Sequence, residues 1–185
     1  MKQTAYCLFE TALGTCGIAW RESAESGSGP VVIGVQLPEA TSQATESGIA
    51  RKSGSNRPSA PPPRVAEIIE KIRRHLGGET QDFRTVAVDL DNVDSFAREA
   101  YKVARQIPPG QTRTYGEIAK AVGQPAAAQK VGQAMAKNPV PIIVPCHRVS
   151  GANGKLGGFS APGGRATKAK LLALEGAHVN LPLFS

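Results

Sequence analysis

The sequence predicts two parts, a small α/β domain and then a mostly helical domain, and three observations carry that expectation. Short runs of β-type residues fill the first forty positions, four segments with helical spacing follow residue 93, and basic residues gather in the second half. With 185 residues and 41% hydrophobic content, the chain suffices for a core in each part. The expected spans are residues 1–92 and 93–185.

Tyr6 to Trp20 reads as two short strands about a turn at Leu13-Gly14-Thr15, and Val31 to Leu37 as a third, with the polar loop Ser23 to Pro30 between them. From Pro38 to Pro63 the chain is rich in Ser, Ala, Gly and Pro and lacks periodic apolar residues, which predicts a mobile surface loop over about 38–63. Val65, Ile68, Ile69, Ile72 and Leu76 then recur at helical spacing until Gly77-Gly78 stops them. Thr85 to Leu90 alternates as a strand.

In the second part, Asp94 or Ser95 caps a helix through Phe96, Ala100, Val103 and Ala104, which Pro108-Pro109-Gly110 ends. Thr114 and Glu117 have the spacing of a capping box, so Tyr115 opens a short helix through Val122, and Gly123 stops it. Pro125 is placed to start the next helix, which runs through Met135 to Lys137 and ends at Asn138-Pro139. So tight a connection makes the pair a helix-turn-helix candidate. A last helix spans Arg165 to Glu175.

Charge divides unevenly between the parts. From Tyr101 onward eleven basic residues face only Glu117 and Glu175, so this stretch carries +9 and the first hundred residues −2, for a formal total of +7. A basic half joined to a near-neutral one points to a polyanionic partner, nucleic acid first. Cys7, Cys16 and Cys146 are an odd set without Cys-x-x-Cys spacing, which indicates neither a disulfide framework nor a zinc ribbon. They suit a reducing, cytoplasmic interior, nucleoid-associated if bacterial. No apolar run reaches ~18 residues and no basic-then-apolar leader opens the chain, so neither a membrane span nor a signal peptide is expected.

The strongest chemical signal is Pro145-Cys146-His147-Arg148-Val149, reached through a strand-like apolar stretch, Val140 to Val144. A thiol reacts as its thiolate, and an imidazole and a guanidinium beside Cys146 in a proline-fixed turn predict an activated nucleophile rather than an inert buried cysteine. Adjacent side chains point apart, so proton transfer between Cys146 and His147 calls for a bridging water. On the second helix of the pair, Ala128, Gly132 and Ala136 fall at i, i+4 and i+8 and strip one face of bulk. Such a face suits either a tight helix–helix contact or a DNA groove, and the basic residues nearby favour DNA.

These residues resemble a known family. The run Asn138-Pro139-Val140-Pro141-Ile142-Ile143-Val144-Pro145-Cys146-His147-Arg148-Val149, with Gly157-Gly158-Phe159-Ser160 and Leu171-Leu172-Ala173-Leu174-Glu175-Gly176, is similar to the O6-alkylguanine-DNA alkyltransferases (methylated-DNA-protein-cysteine methyltransferases). The likeness extends from about Phe96 to Gly176. It implies a ribonuclease H-like N-terminal domain and a helix-turn-helix that enters the minor groove of double-stranded DNA and flips out the damaged guanine. It further implies irreversible alkyl transfer to Cys146 by a monomer, without a cofactor and away from any membrane.

By resemblance, Tyr115 rotates the nucleotide and protonates the leaving guanine, Asn138 is a hinge, and His147 and Glu175 complete a relay through water. Backbone groups of Cys146 and Val149 and the loop Gly157 to Ser160, with Gly158, Phe159 and Ser160, would read the base, and Gln129, Lys130, Gly132 and Arg148 would contact DNA. Some family members bind a structural zinc. Here Cys7, Cys16 and His75 are scattered and lack a fourth ligand, so no metal is expected. One departure stands out: Gln129 occupies the position of an intercalating arginine, which leaves a lesion-binding sensor with weak or no repair as the alternative function. A turnover cysteine hydrolase is disfavoured, because no oxyanion arrangement is legible.

Overall fold

In the computed structural model, which describes residues 3–177, the chain forms two compact units, Met1–Leu90 with Pro139–Ile143, and Asp91–Asn138 with Val144–Ser185. The first is built on an antiparallel three-stranded sheet, β1 (Thr4–Thr11), β2 (Gly14–Glu22) and β3 (Pro30–Gln36), in that order. Alternation along β1 sends Tyr6 and Phe9 to opposite faces, and each face meets a helix. The Tyr6 hydroxyl donates to Glu46 at 3.0 Å on α1 (Ser42–Ser53), whereas the Phe9 ring lies 5.9 Å from the Arg73 guanidinium of α2 (Pro63–Leu76).

Helix α1 overturns the expected mobile loop. Thr41 caps it through the Ala44 amide at 3.1 Å, and Gly54 ends it in a left-handed conformation. Its only large buried apolar residue is Ile49, so no apolar stripe marks it. It approaches through missing side chains instead. A β-carbon on Gly17 would lie 2.8 Å from Ile49, and one on Gly48 would lie 2.8 Å from Gln36.

Two expected strands also fail to form. Thr85 to Leu90 makes a single parallel bridge, Val88 to Val32, because the Val86 amide turns back onto the Phe83 carbonyl at 3.1 Å. Val140 to Val144 is a turn, since Pro139 and Pro141 lack ladder donors and Ile142 takes a φ of 74°. The Pro139 carbonyl accepts from Val35 at 2.9 Å, which holds this segment on the first unit.

The second unit starts with α3 (Ser95–Ala104), capped by Asp94 at 3.0 Å from the Ala97 amide. The buried Tyr101 hydroxyl donates to the Ala134 carbonyl at 2.6 Å, fastening α3 to α5 (Ala128–Ala136). Strand β4 (Arg113–Thr114) pairs in parallel with β5 (Val149–Ser150). The capping box of α4 (Tyr115–Ala121) has both reciprocal bonds, at 3.1 and 2.7 Å. Helix α5 begins three residues later than expected, because Pro125 opens a turn closed by the Ala127 amide on the Gln124 carbonyl at 2.9 Å. Helix α6 (Gly164–Leu174) completes the unit, and among the described residues no helix is long and apolar enough to cross a membrane.

Candidate active site

Cys146 lies on one 3-10 turn, Cys146–Arg148, immediately after the segment that proline and Ile142 bend. It is 6% exposed. Burial pushes its thiol above the ordinary value of 9.0, while a hydrogen bond from Asn138, the charge of Lys168 and the backbone N–H groups of Cys146 and His147 pull the other way. Asn138 also donates from Nδ2 to the Val144 carbonyl at 2.8 Å, so one side chain braces the segment before Cys146 and solvates the sulfur.

The imidazole and the guanidinium next in sequence are not among the groups that pull that thiol down, contrary to the expectation from their adjacency. Both turn to Glu175, whose carboxylate is fully buried. His147 Nε2 lies 2.7 Å from Oε1, and Arg148 pairs bidentately, with Nε 2.9 Å from Oε2 and Nη2 2.7 Å from Oε1. Arg148 Nη1 donates to the Ile107 carbonyl at 2.7 Å, and the residue is 5% exposed. Its expected place among the DNA contacts is therefore corrected: the guanidinium neutralises Glu175 inside the unit. With the carboxylate already paired, it orients the imidazole by a hydrogen bond while its own charge is balanced.

Several expected contact residues line a cavity of about 630 Å³, namely Tyr115, Gln129, Gly132, Gly158, Phe159 and Ser160. The stripped face of α5, with Ala128, Gly132 and Ala136, forms one wall. A β-carbon on Gly132 would meet nothing within 4 Å, so this face opens to space and is not a helix–helix contact. The Ser160 hydroxyl donates to the Ala136 carbonyl at 2.5 Å, joining the glycine-containing segment to the end of α5. Lys130 projects elsewhere, its ammonium 4.3 Å from the centre of the Phe96 ring on α3. Val149 has its amide on the Cys146 carbonyl and its own carbonyl on Lys168 at 2.7 Å.

The 6-O-methylguanine DNA methyltransferase DNA-binding domain family matches residues 95–177. The methylated-DNA–protein-cysteine methyltransferase of Mycolicibacterium paratuberculosis is 37% identical over 161 residues, 86% of this chain and 90% of that protein. The chain belongs to the methylated-DNA–protein-cysteine methyltransferases. Two crystal structures of the Mycobacterium tuberculosis enzyme agree with this methyltransferase over nearly the whole chain at 34% identity. The structure of OGT in complex with DNA has a TM-score of 0.68 and covers 98% of this chain and 99% of its own, and that of O6-methylguanine methyltransferase has 0.71 with 99% and 100%. The reaction of the methyltransferase is direct DNA repair, by transfer of an alkyl group from O6-alkylguanine to a cysteine.

One residue of the methyltransferase escaped the sequence reading, and a second was placed only in the base-reading loop, without its contact to Tyr115. Lys168 is buried beneath the site, and its signal was a lysine in register with Leu171, Leu172 and Glu175 on one face of α6. Gly157 has a φ of 72°, and a β-carbon there would fall 2.4 Å from the Tyr115 hydroxyl oxygen. Tyr115 is half-buried, and burial together with the Cys146 charge raises its pKa, which keeps the phenol protonated at neutral pH.

Proposed function

We propose that Cys146 is the single-use alkyl acceptor of this methyltransferase and that His147, Glu175, Tyr115 and Asn138 serve it. The observation that carries the reading is the 2.7 Å contact between His147, on the turn that bears the thiol, and Glu175 at the end of α6, both buried. Glu175 fixes the imidazole through Nε2, so a water between the sulfur and Nδ1 can carry the thiol proton to the ring as the bond forms. The sulfur attacks the carbon on O6, the carbon–oxygen bond breaks, and the departing guanine takes a proton from the Tyr115 phenol. Solvent then returns a proton to Tyr115 and removes one from His147. The products are S-alkylcysteine and guanine.

The open face of α5 supports a helix-turn-helix of α4 and α5 that docks in the minor groove, with the flipped base received between Tyr115 and the Gly157–Ser160 segment. Gln129, exposed at the cavity rim, is read as the residue that fills the vacated stack. The helix-flanked sheet of the first unit is read as the family's ribonuclease H-like domain. The partner is double-stranded DNA containing O6-alkylguanine, met by a monomer in the cytoplasm. Incubating the chain with a methylated-guanine duplex and weighing its peptides tests the assignment. One methyl is expected on the peptide of Cys146, none on those of Cys7 or Cys16, and none at all in Cys146→Ser. Methyl groups on Cys7 or Cys16, or repair beyond one equivalent, would refute it.

A further inference from the structure

Three parts of the site converge on one ammonium. Lys168 is 1% exposed, donates from Nζ to the Val149 carbonyl at 2.7 Å and to the Leu156 carbonyl, and lies 5.8 Å from the centre of the Tyr115 ring. At Val149 the chain leaves the Cys146 turn, and from Leu156 it enters Gly157–Ser160. Both ends of the intervening excursion are thus tied to the same atom. Directly after it, Gly157 passes against the Tyr115 hydroxyl in a space that no side chain could share.

We propose that Lys168 is a positioning residue for alkyl transfer: by clasping Val149 and Leu156 it holds the Gly157–Ser160 segment and Tyr115 in register with Cys146, so that a bound guanine meets sulfur and phenol together. A buried cation is a poor device for stability alone. Burial lowers its pKa to about 8 from the usual 10.5, with the Cys146 charge opposing and Arg165 acting in the same direction. The folded chain therefore holds this proton less firmly than the unfolded chain does, and at pH 7 the charge subtracts from stability. Methionine would fill the space without that charge, but it would leave the Val149 and Leu156 carbonyls without this donor. The groups facing the ammonium are the Cys146 thiol from the 3-10 turn, the Tyr115 ring from α4 and Arg165 from its own helix.

The proposal rests on Cys146 as acceptor, and the unaltered chain, run in parallel, reports on that point separately. Single-turnover methyl transfer from a methylated duplex is measured for the full chain and for Lys168→Met, with the saturating rate separated from the half-saturating duplex concentration. The saturating rate is expected to fall about 100-fold, the scale of loss when reacting groups are displaced by ~1 Å. The half-saturating concentration should not rise, and the loss of rate should persist at temperatures well below the variant's own melting transition. An unchanged rate, a loss confined to half-saturation, or a rate that recovers fully once the variant is held well below its melting transition overturns the proposal. Should Lys168→Met not fold, Lys168→Arg decides: it keeps a charge that does not titrate, so the inflection near pH 8 expected in the wild-type rate profile should vanish. The same inflection in both proteins would overturn the assignment.

Discussion

Arg148 and Glu175 form a bidentate pair, 2.9 and 2.7 Å, sealed inside the second unit. The pair converts a buried carboxylate from a liability into a fixed platform for His147. Removing one partner strands the other charge, so Arg148→Met should cost about 3–5 kcal/mol of stability in denaturant titrations. Arg148→Met combined with Glu175→Gln should recover most of that stability and still transfer methyl poorly, because the amide cannot stabilise an imidazolium. Full stability in the single variant would show the pair to be dispensable.

A buried thiol with a raised pKa leads to a second expectation. Without DNA, iodoacetamide should modify Cys146 more slowly at pH 7 than it modifies free cysteine, and the rate should still be climbing at pH 9.0, the thiol's ordinary value. Burial also pushes Cys7 and Cys16 up to about 11, so neither should compete. A rate that levels off below pH 7 would mean a thiolate formed in advance and would remove the need for a relay through His147.

Gly157→Ala should affect chemistry more than folding. The left-handed backbone costs roughly 1–2 kcal/mol with a β-carbon. The new methyl also collides with the Tyr115 hydroxyl at 2.4 Å, so the phenol must move. Methyl transfer should slow about tenfold or more, equivalent to at least ~1.4 kcal/mol of barrier, while duplex affinity stays near wild type. Equal loss of affinity and rate would place the effect in DNA docking instead.

Gln129→Arg is expected to accelerate repair of duplex DNA. A guanidinium stacks in the space left by a flipped base and adds charge attraction, offsetting part of the few kcal/mol that flipping costs. Transfer from free O6-benzylguanine should not change, because no base is extruded. If both substrates respond alike, Gln129 is not the residue that fills the stack.

Helix α1 should prove indispensable. Ile49→Ala removes its main apolar anchor and should cost about 2–5 kcal/mol, and deleting residues 42–53 should unfold the first unit. A deletion variant with an unshifted melting transition would restore the view of this stretch as a loop.

What could be read from the sequence was whatever is encoded by near neighbours. The capping box of α4 needs only Thr114 and Glu117, three apart, and α2 and α3 announce themselves by apolar spacing. Helix α1 was invisible because its fit depends on side chains that Gly17 and Gly48 lack, and absence leaves no periodic signal. Within the site, Cys146, His147 and Glu175 were recognisable by resemblance. The direction in which Arg148 points was not, since adjacency to Cys146 suggested a partnership that a 3-10 turn forbids. Lys168 was overlooked for a related reason: a lysine on a short helix looks like solvent-facing charge until the carbonyls of Val149 and Leu156 are brought to it from outside that helix.

The discontinuity of the first unit sets an order of events during synthesis. Its segment Pro139–Ile143, with Val140, Ile142 and Ile143 buried, leaves the ribosome long after Leu90. The amino-terminal unit must therefore wait, incomplete, while the intervening helices emerge, although domains generally fold in N-to-C order. Cys146 is only three residues beyond the end of the late segment. The nascent chain thus settles the turn of Cys146 only after the first unit has received its last piece, and Glu175, which the proposed relay uses, arrives later still.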